Sequence, residues 1–130
     1  MTDKEYAKQK KRIRQLIAKW HGTGFGWWRI DYEYDREVKE SDNEVIRNCV
    51  ADCSTSWEYR TALITFYMPV VARQSDEELE NQFVHEHAHI LIGAIQDFSN
   101  ENARQMTEYA TECVARALVW AREAGAKDKK

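Results

Sequence analysis

Residues 85 to 89 read His-Glu-His-Ala-His, so two histidines stand four residues apart with a glutamate directly after the first. This is the HExxH spacing. Positions i and i+4 of an α-helix lie on one face, so the imidazoles of His85 and His89 can converge on one metal ion at about 2.0 to 2.1 Å. Glu86 is turned about 100° around the helix axis from His85, which puts its carboxylate beside the metal without ligating it. A general base for a metal-bound water needs this position.

Two histidines do not complete such a site, because a catalytic zinc has three protein ligands and an open position for water. No histidine follows His89, which excludes the site types whose third ligand is a later histidine. Glu108 and Glu112 stand four residues apart further along the chain and share one helical face. Either carboxylate could reach the metal.

Sequence patterns also predict the elements that would position these residues. Two capping boxes, Thr2 with Glu5 and Ser75 with Glu78, predict the starts of the first helix and of the helix that carries HExxH. Alternating apolar residues predict three strands between them. The predicted ranges are about 3–20 for the first helix, 28–34, 48–57 and 61–68 for the strands, and 76–97 for the HExxH helix. We expect one α+β domain over residues 1–130, in the order α-β-β-β-α-α, with a small antiparallel sheet laid over helices.

The last predicted helix begins after Asn100, its candidate N-cap, and ends at Gly125 and the lysine-rich tail. Apolar and small residues recur along it at helical spacing and form a stripe. The stripe comprises Ala103, Met106, Ala110, Cys113, Val114, Ala117, Leu118 and Ala121.

Composition and charge exclude several classes of protein. The chain is 43% hydrophobic and 32% charged, which is typical of a globular domain, and its net charge of −3 provides no overall basic field for nucleic acid. A local basic cluster on the first helix is interpreted as its solvated face. This cluster comprises Lys8, Lys10, Lys11, Arg12, Arg14 and Lys19.

The cysteines and the hydropathy pattern indicate the compartment. Cys49, Cys53 and Cys113 make an odd number without a paired CxxC spacing, so neither a disulfide scaffold nor a cysteine zinc site is expected. No apolar run approaches the roughly 18 residues of a membrane span, and the N-terminus has no signal-peptide core. We therefore expect a cytoplasmic protein with no membrane partner.

The stretch Glu108-Tyr109-Ala110-Thr111-Glu112 resembles the ExxxD or ExxxE element of gluzincins, the thermolysin-like zinc peptidases, and it begins 108 − 85 = 23 residues after the first histidine. The order of elements over about residues 13–122 is similar to that of small metallopeptidases of phages and prophages built on a minimal zincin core. This resemblance implies a zincin-like fold, Zn²⁺ as cofactor, Glu108 as third ligand, and a bacterial or phage-infected host cell. It also implies that Glu112 accepts a hydrogen bond from the outer nitrogen of a ligand histidine, although the reverse assignment of the two glutamates stays open.

These residues lead to two main functional hypotheses. The first is a zinc peptidase in which Glu86 is the general base and a peptide or protein substrate lies extended along a sheet edge. The alternative is a non-catalytic binding module that contains the same zinc. Candidate donors to an oxyanion are Tyr67, Arg104 and Tyr109. His87, about 200° around the helix from His85, is interpreted as structural or as a surface residue.

Overall fold

The computed structural model describes residues 1–21, 28–56, 58–92 and 101–128. It has an α+β fold, as expected, and each of the predicted helices and strands is present. Two short helices, Glu44–Arg47 and Met68–Val71, were not predicted. In chain order the elements are α1 (Asp3–Lys19), β1 (Arg29–Asp35), α2 (Glu44–Arg47), β2 (Ala51–Ser56), β3 (Thr61–Tyr67), α3 (Met68–Val71), α4 (Asp76–Ile92) and α5 (Glu101–Asp128).

Local capping fixes where the first helix and α4 begin, as the sequence predicts. The Thr2 hydroxyl accepts a hydrogen bond from the backbone N–H of Glu5 at 3.1 Å. At α4 the exchange is reciprocal: the N–H of Glu78 donates to the Ser75 hydroxyl at 3.1 Å, and the N–H of Ser75 donates to the Glu78 carboxylate at 3.1 Å. The predicted extension of this helix to residue 97 and the proposed Asn100 cap lie outside the described residues. No helix in the described part is long and apolar enough to cross a membrane.

The three strands form a mixed sheet in the order β1-β3-β2. β2 and β3 are antiparallel neighbours, whereas β1 runs parallel to β3 with Arg29 opposite Thr61. The expectation of a wholly antiparallel sheet is therefore wrong for one of the two strand pairs. Apolar alternation reports which face of a strand is buried but not the direction of its neighbour. The segment that joins β1 to β2 contains α2, and it is long enough to place β2 on the side of β3 opposite β1.

The core lies where β3 meets α4. The buried face of β3 carries Ala62, Ile64 and Phe66, in the predicted alternation. Phe66 stacks on Phe83 of α4 with ring centroids 6.2 Å apart, and both side chains are fully buried. The stack fixes which face of α4 meets the sheet, and burying each aromatic side chain removes roughly 150 to 250 Å² from water.

Two members of the predicted basic cluster are structural rather than simply solvated. The Arg12 guanidinium donates to the backbone carbonyls of Val71 at 3.2 Å and Gln74 at 2.8 Å, and it pairs with Asp76 at 2.9 Å. It thereby satisfies carbonyls at the end of α3 and binds the first turn of α4 to α1. Lys19 pairs with Glu80 at 2.7 Å.

The apolar stripe predicted on the last helix divides between two faces of α5. Val114 and Leu118 pack against the core, but Met106 is 64% exposed and Cys113 is also exposed. The buried positions of α5 are instead Thr111 and Ala115. This helix also continues through Gly125 to residue 128, so the predicted stop at that glycine is wrong. Alanines on both sides of the glycine favour helix and offset its cost of about 1 kcal/mol.

His87 is a structural residue of the core, one of the two interpretations that the sequence allowed. It is 3% exposed, and its Nδ1 lies 2.6 Å from the carbonyl oxygen of Phe83. Because a carbonyl only accepts, Nδ1 carries the proton, and Nε2 accepts from the Tyr32 hydroxyl at 2.8 Å. Burial lowers the pKa of His87 to about 4, so the ring is neutral near pH 7.

Replacing Tyr32 with phenylalanine should lower the free energy of unfolding by about 1 to 3 kcal/mol, because the buried Nε2 of His87 would lose its hydroxyl donor. Urea denaturation of the purified variant measures this change. Tyr59→Phe is the matched control, since Tyr59 is 78% exposed and its variant should unfold like the wild type. Coincident unfolding curves for Tyr32→Phe and wild type would contradict the assigned hydrogen bond.

Candidate metal centre

His85 and His89 lie on the side of α4 that meets α5, away from the core-facing Phe83, whereas Glu86 is turned towards β2. Glu86 and His89 are buried, at 6% and 7% exposure, and the His85 side chain is 14% exposed. The two histidine rings have centroids 5.1 Å apart and are nearly perpendicular. Their i, i+4 spacing therefore produces the shared face that the sequence predicts.

Glu108 of α5 reaches both histidines. One of its carboxylate oxygens lies 3.4 Å from His85 Nε2, and the other lies 3.2 Å from His89 Nε2. One ligand atom from each of the three residues falls within 4.8 Å of the others. Among the described residues, this is the group of histidine, cysteine and carboxylate side chains whose spacing could hold a metal ion.

These separations are compatible with a tetrahedral site. Four ligands about 2.0 to 2.1 Å from a central ion are about 3.4 Å from each other along each edge. Each of the two nitrogen–oxygen distances at Glu108, one to each carboxylate oxygen, is close to that edge. Two imidazoles and one carboxylate are also a donor set that zinc accepts, with a fourth position left for a water.

Glu112 lies behind His85. Its carboxylate is 2.7 Å from His85 Nδ1, and a carboxylate accepts, so Nδ1 donates the proton. When a metal is bound, this hydrogen bond would keep the proton on Nδ1 and leave the lone pair of His85 for the ion on Nε2, the nitrogen that faces Glu108. Arg116, one turn further along α5, donates to the other oxygen of Glu112 at 3.0 Å and holds the carboxylate in place.

Electrostatics within the cluster follow from these contacts. Burial lowers the pKa of His85, but hydrogen bonds to Glu108 and Glu112 and the charge of Glu86 outweigh it and raise the pKa to about 9. Hydrogen bonds from His85 and His89 hold the pKa of Glu108 well below its usual range. A carboxylate that stays ionised is a ready metal ligand.

Glu86 occupies a different environment from Glu108. The pKa of Glu86 is raised to about 8: burial raises it most, the charge of His85 lowers it, and the carboxylates of Glu108 and Asp52 raise it. No hydrogen bond to the Glu86 carboxylate is found within the described part of the chain. A carboxyl group with a pKa near neutrality can both accept and return a proton at physiological pH.

A second charged group near Glu86 was not found by sequence reasoning. Asp52 of β2 accepts hydrogen bonds from Lys39 at 2.8 Å and from the Tyr67 hydroxyl at 2.7 Å. Asp52 and Lys39 both interact electrostatically with Glu86. Nothing in the sequence around residues 39 or 52 distinguishes them from surface charges, because their proximity to Glu86 arises only when β2 packs against α4.

The three candidate oxyanion donors are not brought together at the cluster. The Tyr67 hydroxyl is already bonded to Asp52. Tyr109 is 75% exposed, on the side of α5 that faces away from α4. Arg104 lies one turn before Glu108 on α5 and is exposed. Of the three, Tyr67 is the one that contacts the charged residues beside Glu86, because its hydroxyl is bonded to Asp52.

β2 is the edge strand that packs against α4. The carbonyl of Val50, just before this strand, accepts from the N–H of Tyr67, so alternate residues of β2 direct their backbone groups towards β3. The intervening residues Ala51, Cys53 and Thr55 direct theirs outward. The Cys49 thiol donates to the carbonyl of Ala51 at 3.0 Å, and no described strand pairs with this edge.

The chain matches no protein-family model, and comparison with curated proteins and with solved structures finds no match. The arrangement of the side chains around His85 therefore carries the functional proposal below.

Glu86→Gln should stabilise the metal-free protein by about 1 to 3 kcal/mol at pH 7, because a buried carboxylate whose pKa is raised costs folding free energy once the unfolded chain ionises it. The penalty is absent below the unfolded-state pKa of about 4.5 and grows as the pH rises towards 8. Chemical denaturation in the presence of a chelator, at pH 5 and pH 8, measures the difference.

Glu77→Gln, on the exposed first turn of α4, is the control and should change stability little. A Glu86→Gln variant no more stable than wild type at pH 8, or one whose advantage is larger at pH 5, would contradict the described environment of Glu86.

Proposed function

We propose that this protein is a zinc-dependent peptidase with a minimal gluzincin-like site, in which His85, His89 and Glu108 hold the metal and Glu86 is the general base. The observation that carries the proposal is the convergence of the three ligand atoms, with the Nε2 atoms of both histidines 3.2 to 3.4 Å from Glu108 oxygens. HExxH supplies two ligands from one helix, and α5 supplies the third.

Each residue then has one role. Zn²⁺ bound here would lower the pKa of a coordinated water from about 15.7 to near 7 and polarise the scissile carbonyl. Glu86 accepts the proton of the attacking water and returns it to the leaving amine. Glu112 orients His85 by accepting from its Nδ1. Burial of Glu86 excludes bulk water and raises its pKa towards the working pH.

The edge of β2 supports a peptide as the substrate. An extended chain can add to an exposed sheet edge through main-chain hydrogen bonds, and the outward backbone groups of Cys53 and Thr55 offer such an edge. Cys53 also interacts electrostatically with Glu86. A peptide bound along β2 would therefore pass close to the proposed base.

The number of ligands favours the peptidase over a non-catalytic zinc module. Structural zinc sites are usually closed by four protein ligands, whereas catalytic sites keep one position open. Among the described residues the cluster offers three. Among the described residues, none forms a hydrogen bond with the Glu86 carboxylate beside it.

Zinc content tests the ligand assignment. The purified protein should contain one zinc per chain, and Glu108→Ala should lose it during dialysis. Glu112→Gln should retain zinc with an affinity roughly 10- to 100-fold lower, since a residue that orients a ligand is worth about that much. Metal analysis by mass spectrometry and competition with a chromogenic chelator measure both.

Glu123→Ala is the matched control, since Glu123 is exposed on the same helix. A wild-type protein without zinc would overturn the metal site. Loss of zinc in Glu112→Ala but not in Glu108→Ala would reverse the roles of the two glutamates.

Peptide cleavage tests the proposed catalysis. The zinc-loaded protein should cleave members of a random peptide library, detected by mass spectrometry. Glu86→Gln should keep its zinc and lose roughly 10²- to 10⁴-fold in rate, the usual contribution of a general base. Glu77→Gln should cleave normally. A zinc-loaded protein that cleaves no peptide, or a Glu86→Gln variant as active as wild type, would favour the non-catalytic module.

A further inference from the structure

The outward face of α5 is apolar and uncovered within the described part of the chain. Met106, Tyr109 and Trp120 are 64%, 75% and 72% exposed, and Cys113 between them is exposed too. This face points away from Thr111 and Ala115, the buried positions of the helix. Large apolar side chains aligned on one exposed helical face mark an interaction surface more often than scattered single residues do.

The residues of this face follow a heptad repeat. Six positions are separated by alternating steps of four and three residues, which is the a/d spacing of a coiled-coil seam. The seam extends over about 27 Å of helix at 1.5 Å per residue. Its a positions are all occupied by alanine, whereas its d positions carry the larger side chains of methionine, cysteine and tryptophan. In order, the seam comprises Met106, Ala110, Cys113, Ala117, Trp120 and Ala124.

The seam is complementary to itself when two copies run antiparallel. In such a pair each a residue faces a d residue of the other helix, and three kinds of layer, each occurring twice, match a small side chain with a larger one. The layers are Met106 with Ala124, Ala110 with Trp120, and Cys113 with Ala117. A parallel pair would instead put alanine against alanine and tryptophan against tryptophan.

We propose that this protein forms a homodimer in which the α5 helices of two copies pack antiparallel through this seam. The flanks fit the same arrangement, because Tyr109 of one copy then lies beside Glu123 of the other and its hydroxyl can donate to that carboxylate. Arg116 approaches its own counterpart near the two-fold axis, and its bond to Glu112 at 3.0 Å offsets the like charges.

The exposed area is of the size that a dimer needs. With about 150 to 250 Å² per aromatic side chain, Tyr109 and Trp120 expose roughly 300 Å² in each copy. The four aromatic side chains of a dimer would thus supply about half of the 1,200 Å² at the lower end of specific interfaces. Met106, the alanines and the flanking residues contribute the remainder.

Around the axis of α5, Glu108 and Glu112 lie about 160° and about 120° from the centre of the seam. Among the described elements, α5 packs extensively only against α4. Pairing with a second copy would therefore hold α5 from its outer side and keep both glutamates against the histidines. The two proposed metal centres would lie back to back, each opening away from the dimer axis.

The molar mass in solution tests the dimer. Interfaces of standard size have Kd values of about 1 μM at the weak end of their range. At about 100 μM chain, roughly a hundredfold above such a Kd, the wild type should have twice the 15.3 kDa mass of one chain. Trp120→Glu should halve it. Val45→Glu is the matched control, because Val45 is 80% exposed and lies outside the seam. Circular dichroism checks that each variant is folded.

A monomeric wild type would overturn the proposal and leave the face to another partner. A folded Trp120→Glu variant that stays dimeric would place the interface elsewhere and overturn it as well.

Disulfide cross-linking tests the direction of the helices. Ala117→Cys should form covalent dimers under mild oxidation, because the introduced thiol faces the native Cys113 of the other copy. The double variant Cys113→Ala/Ala117→Cys should not, although it keeps Cys49 and Cys53. Equal cross-linking of the double variant would indicate a parallel pair and overturn the antiparallel arrangement.

Discussion

The packing of α4 between the sheet and α5 is the constraint on which the rest of the structure depends. Phe83 stacks on Phe66 of the central strand, and this contact fixes the rotation of α4 about its axis. Once that face is fixed, His85 and His89 must point towards α5. A shift of one residue in the helix would turn the histidines by about 100° and separate them from Glu108.

Three buried polar residues of α4 show where stability and chemistry compete. His87 is fully satisfied by Tyr32 and the Phe83 carbonyl and stays neutral, so it behaves as part of the core. Burial raises the pKa of Glu86, and the nearby carboxylates of Glu108 and Asp52 raise it too. A buried carboxylate that lowers stability is expected where function requires it. His89, the third, lies against Glu108.

The faces of α5 illustrate what periodicity leaves open. The sequence correctly predicts a helix, but its small and apolar residues almost encircle the axis. Val114 and Leu118 pack inward, whereas Met106 and Cys113 lie outside. Beside the buried Thr111 and Ala115, the polar residues Glu108 and Glu112 meet the histidines of α4. The outer face then remains for the proposed partner copy.

Local patterns were sufficient for the starts of α1 and α4, the alternation along β3, and the shared face of His85 and His89, because each depends on residues within one or two turns or along one strand. The parallel pairing of β1 with β3, the structural role of Arg12, and the proximity of Asp52 to Glu86 were decided only by the tertiary structure. These features depend on which segments meet after the chain has turned back, and neither spacing nor composition encodes that. The HExxH pair and its candidate carboxylates Glu108 and Glu112 could therefore be found in the sequence, whereas the charged residues beside Glu86 could not.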